Sequence, residues 1–157
     1  MSDSERTPHV LIVEARFYED IADELMKGAV AALDGVGAQY DRIQVPGAFE
    51  IPAAIVMGVR SMDFFSARRR YDGYVAIGCV IRGETSHYDY VCGESARKLQ
   101  DLACKYAIAL GYGILTCENR DQAWARARAD QRDKGGEAAR ACLRMLEVKR
   151  RFHLYPR

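Results

Sequence analysis

The chain has 157 residues, 49% of them hydrophobic, which is long enough for one domain with a real buried core. Twenty-three basic residues against 22 acidic ones leave a formal charge of +1, so no global field pulls the chain toward nucleic acid or a membrane, and any anion site must be local. Five scattered cysteines form no C-x-x-C pair and none sits with a histidine at zinc-ligand spacing, which argues against a metal centre and for free thiols in a reducing cytosol.

The polar segment Met1 to Pro8 reads as a short tail without an apolar signal core, and nowhere is there an apolar stretch that would span a bilayer. Val10 to Val13 is a β-branched run of the kind buried on both faces of a sheet. Glu14 to Tyr18 is expected as the loop at its carboxyl end, with Phe17 placed either to stack on a flat ligand or to fold back on the core. Glu19, Asp20 and Asp23 put acidic charge in a first helical turn, and Ile21, Leu25, Ala29, Ala32 and Leu33 recur at helical spacing until Gly35 or Gly37.

Gln39 to Val45 reads as a second strand. Pro46 to Pro52 follows with two prolines around a glycine and an aromatic, and Pro52 starts a helix expected over Ala53 to Arg60, with Ile55, Val56 and Val59 inward. Glu50 falls at this junction, either as an acceptor for ligand hydroxyls or as a solvated helix-start residue. Ser61 to Arg70, with Phe64, Phe65 and the arginines 68 to 70, resembles a surface excursion, and the arginines read as a solvated edge rather than a nucleic-acid site.

The apolar run Tyr74 to Ile81 empties into a glycine-bracketed polar turn, Arg82 to Ser86, which runs into a helix. Loops after parallel strands present free backbone N–H groups and a helix N-terminus to anions. This one ends in His87, one of three histidines and the side-chain type suited to proton transfer near neutral pH. The pattern suggests proton transfer beside a phosphate; an ordinary turn with a half-exposed helix-start histidine gives the same residues. Val91, Ser95, Leu99, Leu102, Tyr106 and Leu110 then mark a long amphipathic helix stopped by Gly111. Tyr112 to Cys117 is a fourth strand, and Asn119 to Gln122 a helix start. Ala123 to Ala129 is a short helix carrying Arg126 and Arg128, and Asp130 to Gly136 a polar turn. A last helix keeps Ala139, Cys142, Leu143 and Leu146 inward, and residues 149–157 form a basic tail. Alternating strands and helices predict an α/β domain, a four-stranded parallel sheet between helix layers with right-handed crossovers. Its strand-end loops, carrying Phe17, Ala48 to Glu50 and Gly83 to His87, all open on one edge.

Val45-Pro46-Gly47-Ala48-Phe49-Glu50-Ile51-Pro52 and the segment Gly78 to Val91, followed by Leu115 to Asn119 and Asp133 to Ala139, resemble the 6,7-dimethyl-8-ribityllumazine synthase family in order and spacing over Val10 to Glu147. The resemblance implies a single flavodoxin-like three-layer α/β/α sandwich. It also implies condensation of 5-amino-6-(D-ribitylamino)uracil with 3,4-dihydroxy-2-butanone 4-phosphate, releasing phosphate and water, in the penultimate step of riboflavin synthesis. No metal or organic cofactor is implied. Carried over residue by residue, Phe17 stacks on the pyrimidine, Ala48, Phe49 and Glu50 hold the ribityl chain, and Cys79, Val80 and Ile81 present backbone to the ring. Glu84 and Thr85 cradle phosphate through backbone N–H groups, with Arg126 and Lys134 as cations and His87 as the proton shuttle.

The thiols and the polar start read as those of a cytoplasmic protein, and the resemblance further implies a homo-oligomer with active sites between subunits: a pentamer, a decamer or a sixty-subunit shell, with riboflavin synthase as a partner. Tyr112 matches the position through which a neighbouring subunit closes the site. The chain departs from the family at Tyr18, where many members have a small polar residue, and at Tyr112, where many have Phe. Retention of His87 and Arg126 favours the enzyme over a paralogue that binds flavin or lumazine without turnover, and the absence of a long hydroxyl-rich phosphate loop disfavours a flavin mononucleotide carrier.

Overall fold

The computed structural model describes residues 6–64 and 71–154. Four strands, β1 (His9–Ala15), β2 (Gln39–Val45), β3 (Gly73–Ile81) and β4 (Ala109–Cys117), form one parallel sheet in the order β2-β1-β3-β4. Helices α1 (Glu19–Asp34), α4 (Arg120–Ala127) and α5 (Lys134–Arg151) cover one face, and α2 (Ile51–Phe64) and α3 (His87–Tyr106) the other. The three-layer α/β/α sandwich is the one expected.

Strand alternation splits the core in two. Val10, Ile12, Val75 and Ile77 point toward α1 and α5, while Leu11, Val13, Tyr74 and Ala76 point toward α2 and α3. Because β1 and β3 are central and buried on both faces, they carry the continuous apolar runs Val10 to Val13 and Tyr74 to Ile81; β2 lies at an edge and is largely exposed. All four strands run in one direction, so their carboxyl ends meet along a single sheet edge.

Several boundaries differ from the sequence reading. Glu14 belongs to β1 rather than to the following loop and is only 2% exposed, held by Arg16 (2.7 Å) and Arg42 (2.7 and 3.1 Å). A buried carboxylate is stable there because two guanidinium groups replace its water. Helix α2 begins at Ile51 and continues through Ser61 to Phe64, where an excursion was expected. Arg60 pairs with Asp63 (2.7 Å) and the Ser61 hydroxyl donates to the Gly58 carbonyl (2.7 Å), extending the helix; arginines 68 to 70 lie outside the described residues.

Helix α3 begins at His87 and stops at Tyr106, so Leu110 is a strand residue, not the end of a helix stopped by Gly111. Ala107, at φ 52°, turns the chain with its N–H bonded to the Ala103 carbonyl. Gly111 has a different reason to be glycine, since a Cβ there would run into the Ala138 carbonyl of α5. Gly135 and Gly136 likewise lie inside α5, not in a turn: a Cβ on Gly135 would meet the Leu25 carbonyl, so this glycine lets α5 close directly on α1, while a Cβ on Gly136 would meet the Asp133 cap carboxylate. Helix α5 also runs on to Arg151, into the basic stretch read as a tail. Helix α4 starts at Arg120 and ends at Ala127. Asn119 Oδ1 accepts from the Gln122 N–H and Gln122 Oε1 accepts from the Glu118 N–H, both at 2.9 Å, a reciprocal cap.

Among the described residues, no helix is long and apolar enough to cross a membrane.

Candidate active site

Loops leaving β1, β2 and β3 converge at the carboxyl edge of the sheet. They enclose a cavity of about 360 Å³. Its walls come from Phe17 and Tyr18 after β1, and from Gly47, Ala48, Phe49 and Glu50 after β2. The floor is the end of β3, Cys79, Val80 and Ile81, and the far side is the start of α3, His87 and Val91. Residues up to 74 positions apart in sequence, Phe17 and Val91, therefore meet as the parallel topology requires.

Local chemistry explains each placement. After Val45, Pro46 and Gly47 lead into a 3-10 turn, Ala48–Glu50, which runs directly into α2 and leaves Phe49 and Glu50 exposed while Ala48 is buried. Phe17 is 75% exposed, standing at the rim with its ring in T-shaped contact with Tyr18, centroids 4.9 Å apart at 75°. The turn before α3 ends in Ser86, and the Thr85 hydroxyl accepts a hydrogen bond from the His87 N–H (3.3 Å). Helix α3 is 20 residues long, and the positive end of its dipole faces this turn, which favours an anion, while the Asp89 N–H bonds the Ser86 carbonyl (3.0 Å). Glu84 and Thr85 are exposed there, outside the residues that line the cavity.

Ion pairs brace the loops. Arg82 bonds Glu118 (2.7 Å) and lies over the Tyr88 ring (4.3 Å), tying the β3 loop to the end of β4, and Asp20 pairs with Arg120, tying α1 to α4. Burial at the floor pushes the Cys79 thiol up to about 12, so it lines the cavity as a neutral group and is not a thiolate nucleophile. Burial would also raise the Glu14 carboxyl, but the hydrogen bonds from Arg42 and Arg16 outweigh it and hold that group below the usual range.

Three expected site residues lie elsewhere on the chain. Tyr112, Arg126 and Lys134 line a second cavity of about 450 Å³, bounded by edge strand β4 and by α4 and α5. The Arg126 Nη1 donates to the Gln122 carbonyl (3.1 Å), and Lys134 pairs with Glu137 (2.9 Å). Tyr112 is 44% exposed on the outer edge. Within one chain, then, the structure gathers the ring, ribityl and proton-transfer candidates at one place and the two cations at another. Tyr18, Gly47 and Val91 line the first cavity without having been singled out as site residues; proximity to Phe17, to the Ala48 turn and to His87 was the signal available for them.

Residues 7–150 match the family model described as 6,7-dimethyl-8-ribityllumazine synthase. The chain is similar to the 6,7-dimethyl-8-ribityllumazine synthase 1 of Rhizobium meliloti (strain 1021), 60% identical over 144 residues that cover 92% of this chain and 93% of the relative. It is 57% identical to the 6,7-dimethyl-8-ribityllumazine synthase of Agrobacterium fabrum over 145 residues, 92% of this chain and 97% of that one. The protein of that name from Bartonella tribocorum is 54% identical over 152 residues, 97% of each chain.

Proposed function

The chain belongs to the 6,7-dimethyl-8-ribityllumazine synthase family, and from that premise we propose the reaction and the residue roles that its geometry supports. The reaction is condensation of 5-amino-6-(D-ribitylamino)uracil with 3,4-dihydroxy-2-butanone 4-phosphate to 6,7-dimethyl-8-ribityllumazine, the penultimate step of riboflavin biosynthesis. The observation that carries the assignment of roles is the first cavity. It joins an exposed aromatic, a carboxylate at a helix start, a run of strand-end backbone and a histidine beside a helix N-terminus.

The chemistry asks for these groups in this arrangement. Phe17 covers the flat face of the pyrimidine, and the backbone of Cys79 to Ile81 meets its polar edge. Glu50 accepts hydrogen bonds from the ribityl hydroxyls, with Ala48 and Phe49 shaping the channel. The phosphate of the second substrate sits on the N–H groups of the Glu84 to Ser86 turn. Held this way, the ring amine attacks the ketone and the carbinolamine loses water to an imine. Loss of a carbon-bound proton expels phosphate, and the ribityl-bearing nitrogen closes the second ring with loss of water. His87, at the first turn of α3, moves protons between these steps. Most of the acceleration comes from holding two reactants together, since the amine is already nucleophilic.

The second cavity supports a site completed by a neighbouring subunit. Tyr112, Arg126 and Lys134 line an outer-edge cavity in which the Glu84 turn has no part, so a second copy docking its β4 edge against the first cavity would bring Arg126 and Lys134 to the phosphate. We read the assembly as a ring of five acting in the cytoplasm, its product passing to riboflavin synthase. The test is direct: purified protein given both substrates should develop lumazine fluorescence. A preparation that binds lumazine but forms none would make it a binding protein instead.

A further inference from the structure

We infer that Tyr18 is a positioning residue for Phe17, fixing the plane of the Phe17 ring before the pyrimidine arrives; the inference rests on the reading of Phe17 as the stacking residue. Phe17 is 75% exposed. A phenyl group so exposed samples several rotamers unless a neighbour holds it, and that freedom is lost when a ligand stacks on it. Its ring has such a neighbour. Tyr18 meets it with centroids 4.9 Å apart and planes at 75°, within the edge-to-face geometry that aromatic quadrupoles favour.

Tyr18 is itself anchored at both ends. Its backbone, at φ −108° and ψ 97°, is the N-cap of α1, and its carbonyl accepts the Ala22 N–H at 2.9 Å. Its ring is half-buried against the core that includes Ile21 and Leu25. Burial also raises its phenol, which stays neutral beside the cavity. One aromatic is thus fixed by the fold and the other is fixed by the first, and both line the cavity. A platform ordered in advance lowers the entropy lost on binding, so Tyr18 contributes to affinity for a flat ring without having to touch it.

The test is a double-substitution cycle read by titration with 6,7-dimethyl-8-ribityllumazine. Tyr18→Leu, which keeps apolar bulk but removes the aromatic edge, should weaken binding about three- to tenfold. Tyr18→Phe should bind as the parent does, and the KM for the butanone phosphate should stay unchanged in both. In a Phe17→Ala background, Tyr18→Leu should cause no further loss. An equal loss in both backgrounds, or none in the parental one, overturns the inference. Failure of Phe17→Ala itself to weaken binding would overturn the stacking reading instead. A second measurement needs no substitution at Tyr18: 4-fluorophenylalanine placed at position 17 of the unliganded protein should give a fluorine resonance displaced by the neighbouring ring, and a resonance at the free amino acid's value overturns the inference.

Discussion

Consider two impaired variants mixed in one assembly. His87 lines the first cavity and Arg126 the second, so if each active site joins the first cavity of one subunit to the second cavity of its neighbour, the two substitutions damage opposite halves. His87→Ala should lower turnover by about a hundredfold or less, the low end of general acid–base effects, because positioning survives. Arg126→Ala should remove a charge-assisted contact of about 1.5 to 3 kcal/mol, roughly a ten- to 150-fold rise in the KM for the phosphorylated substrate. At substrate levels near the parental KM, each variant alone keeps only a small fraction of activity. Unfolded together in equal amounts and refolded into mixed rings, they place an intact His87 half against an intact Arg126 half at about a quarter of the interfaces. Lumazine formation should therefore recover to at least about a quarter of the parental rate, above either variant refolded alone. Activity in the mixture equal to the mean of the two separate preparations would refute the composite site, because it would put both residues in the site of a single chain.

Phe17→Ala should weaken every pyrimidine ligand by about 1 to 3 kcal/mol, whereas Glu50→Gln should weaken only ribityl-bearing ones. Calorimetry with a ribityl-free pyrimidine checks this, and equal losses from the two changes would contradict the roles. Since Glu14 has its folded pKa held below the unfolded value, its ion pairs stabilise the protein above the unfolded carboxylate pKa of about 4.3, and that contribution is lost as pH falls through the folded value. Glu14→Gln should thus cost about 1.5 to 3 kcal/mol at neutral pH, the gap to the parent narrowing in acid; urea midpoints at both pH values test it, and a constant gap would contradict it. Gly135→Ala should destabilise by about 1 to 3 kcal/mol or more through its collision with the Leu25 carbonyl. Gly93→Ala, in open space on α3, should be neutral or stabilising by up to about 1 kcal/mol in the same urea titration.

The sheet was legible because strands buried on both faces must be continuous apolar runs, and Val10 to Val13 and Tyr74 to Ile81 are such runs. Glu14 was misread because a carboxylate signals a loop unless its partners are known, and Arg42 is 28 residues away. Leu110 was misread because it extends a four-residue spacing that α3 has already ended, and an apolar residue serves a strand as well as a helix. Gly135 and Gly136 looked like a turn since close backbone approach and positive φ leave the same residue in a sequence. At the site, strand-end loops announced Phe17, Glu50 and His87, for topology alone sends them to one edge. Where Arg126 and Lys134 would sit relative to them was not legible, because they lie on α4 and α5 beside edge strand β4, and motif spacing does not say which cavity a helix borders.

The glycine contact between α1 and α5 also governs when the fold can close during synthesis. Gly28 and Gly135 bring the first helix against the last, across more than a hundred residues of chain, with the Asp133 carboxylate, the α5 cap, lodged against Gly28 and Gly136. A ribosome makes these partners many seconds apart, at about 5 to 20 residues per second. Until residues 134–151 emerge, the apolar flank of α1 and the β3–β4 side of the sheet have no cover, and the nascent chain carries an open, sticky face. Substitutions in this seam should therefore reduce the yield of soluble protein made in cells more than they lower the midpoint of the finished protein, and chaperone supply should rescue the former without changing the latter.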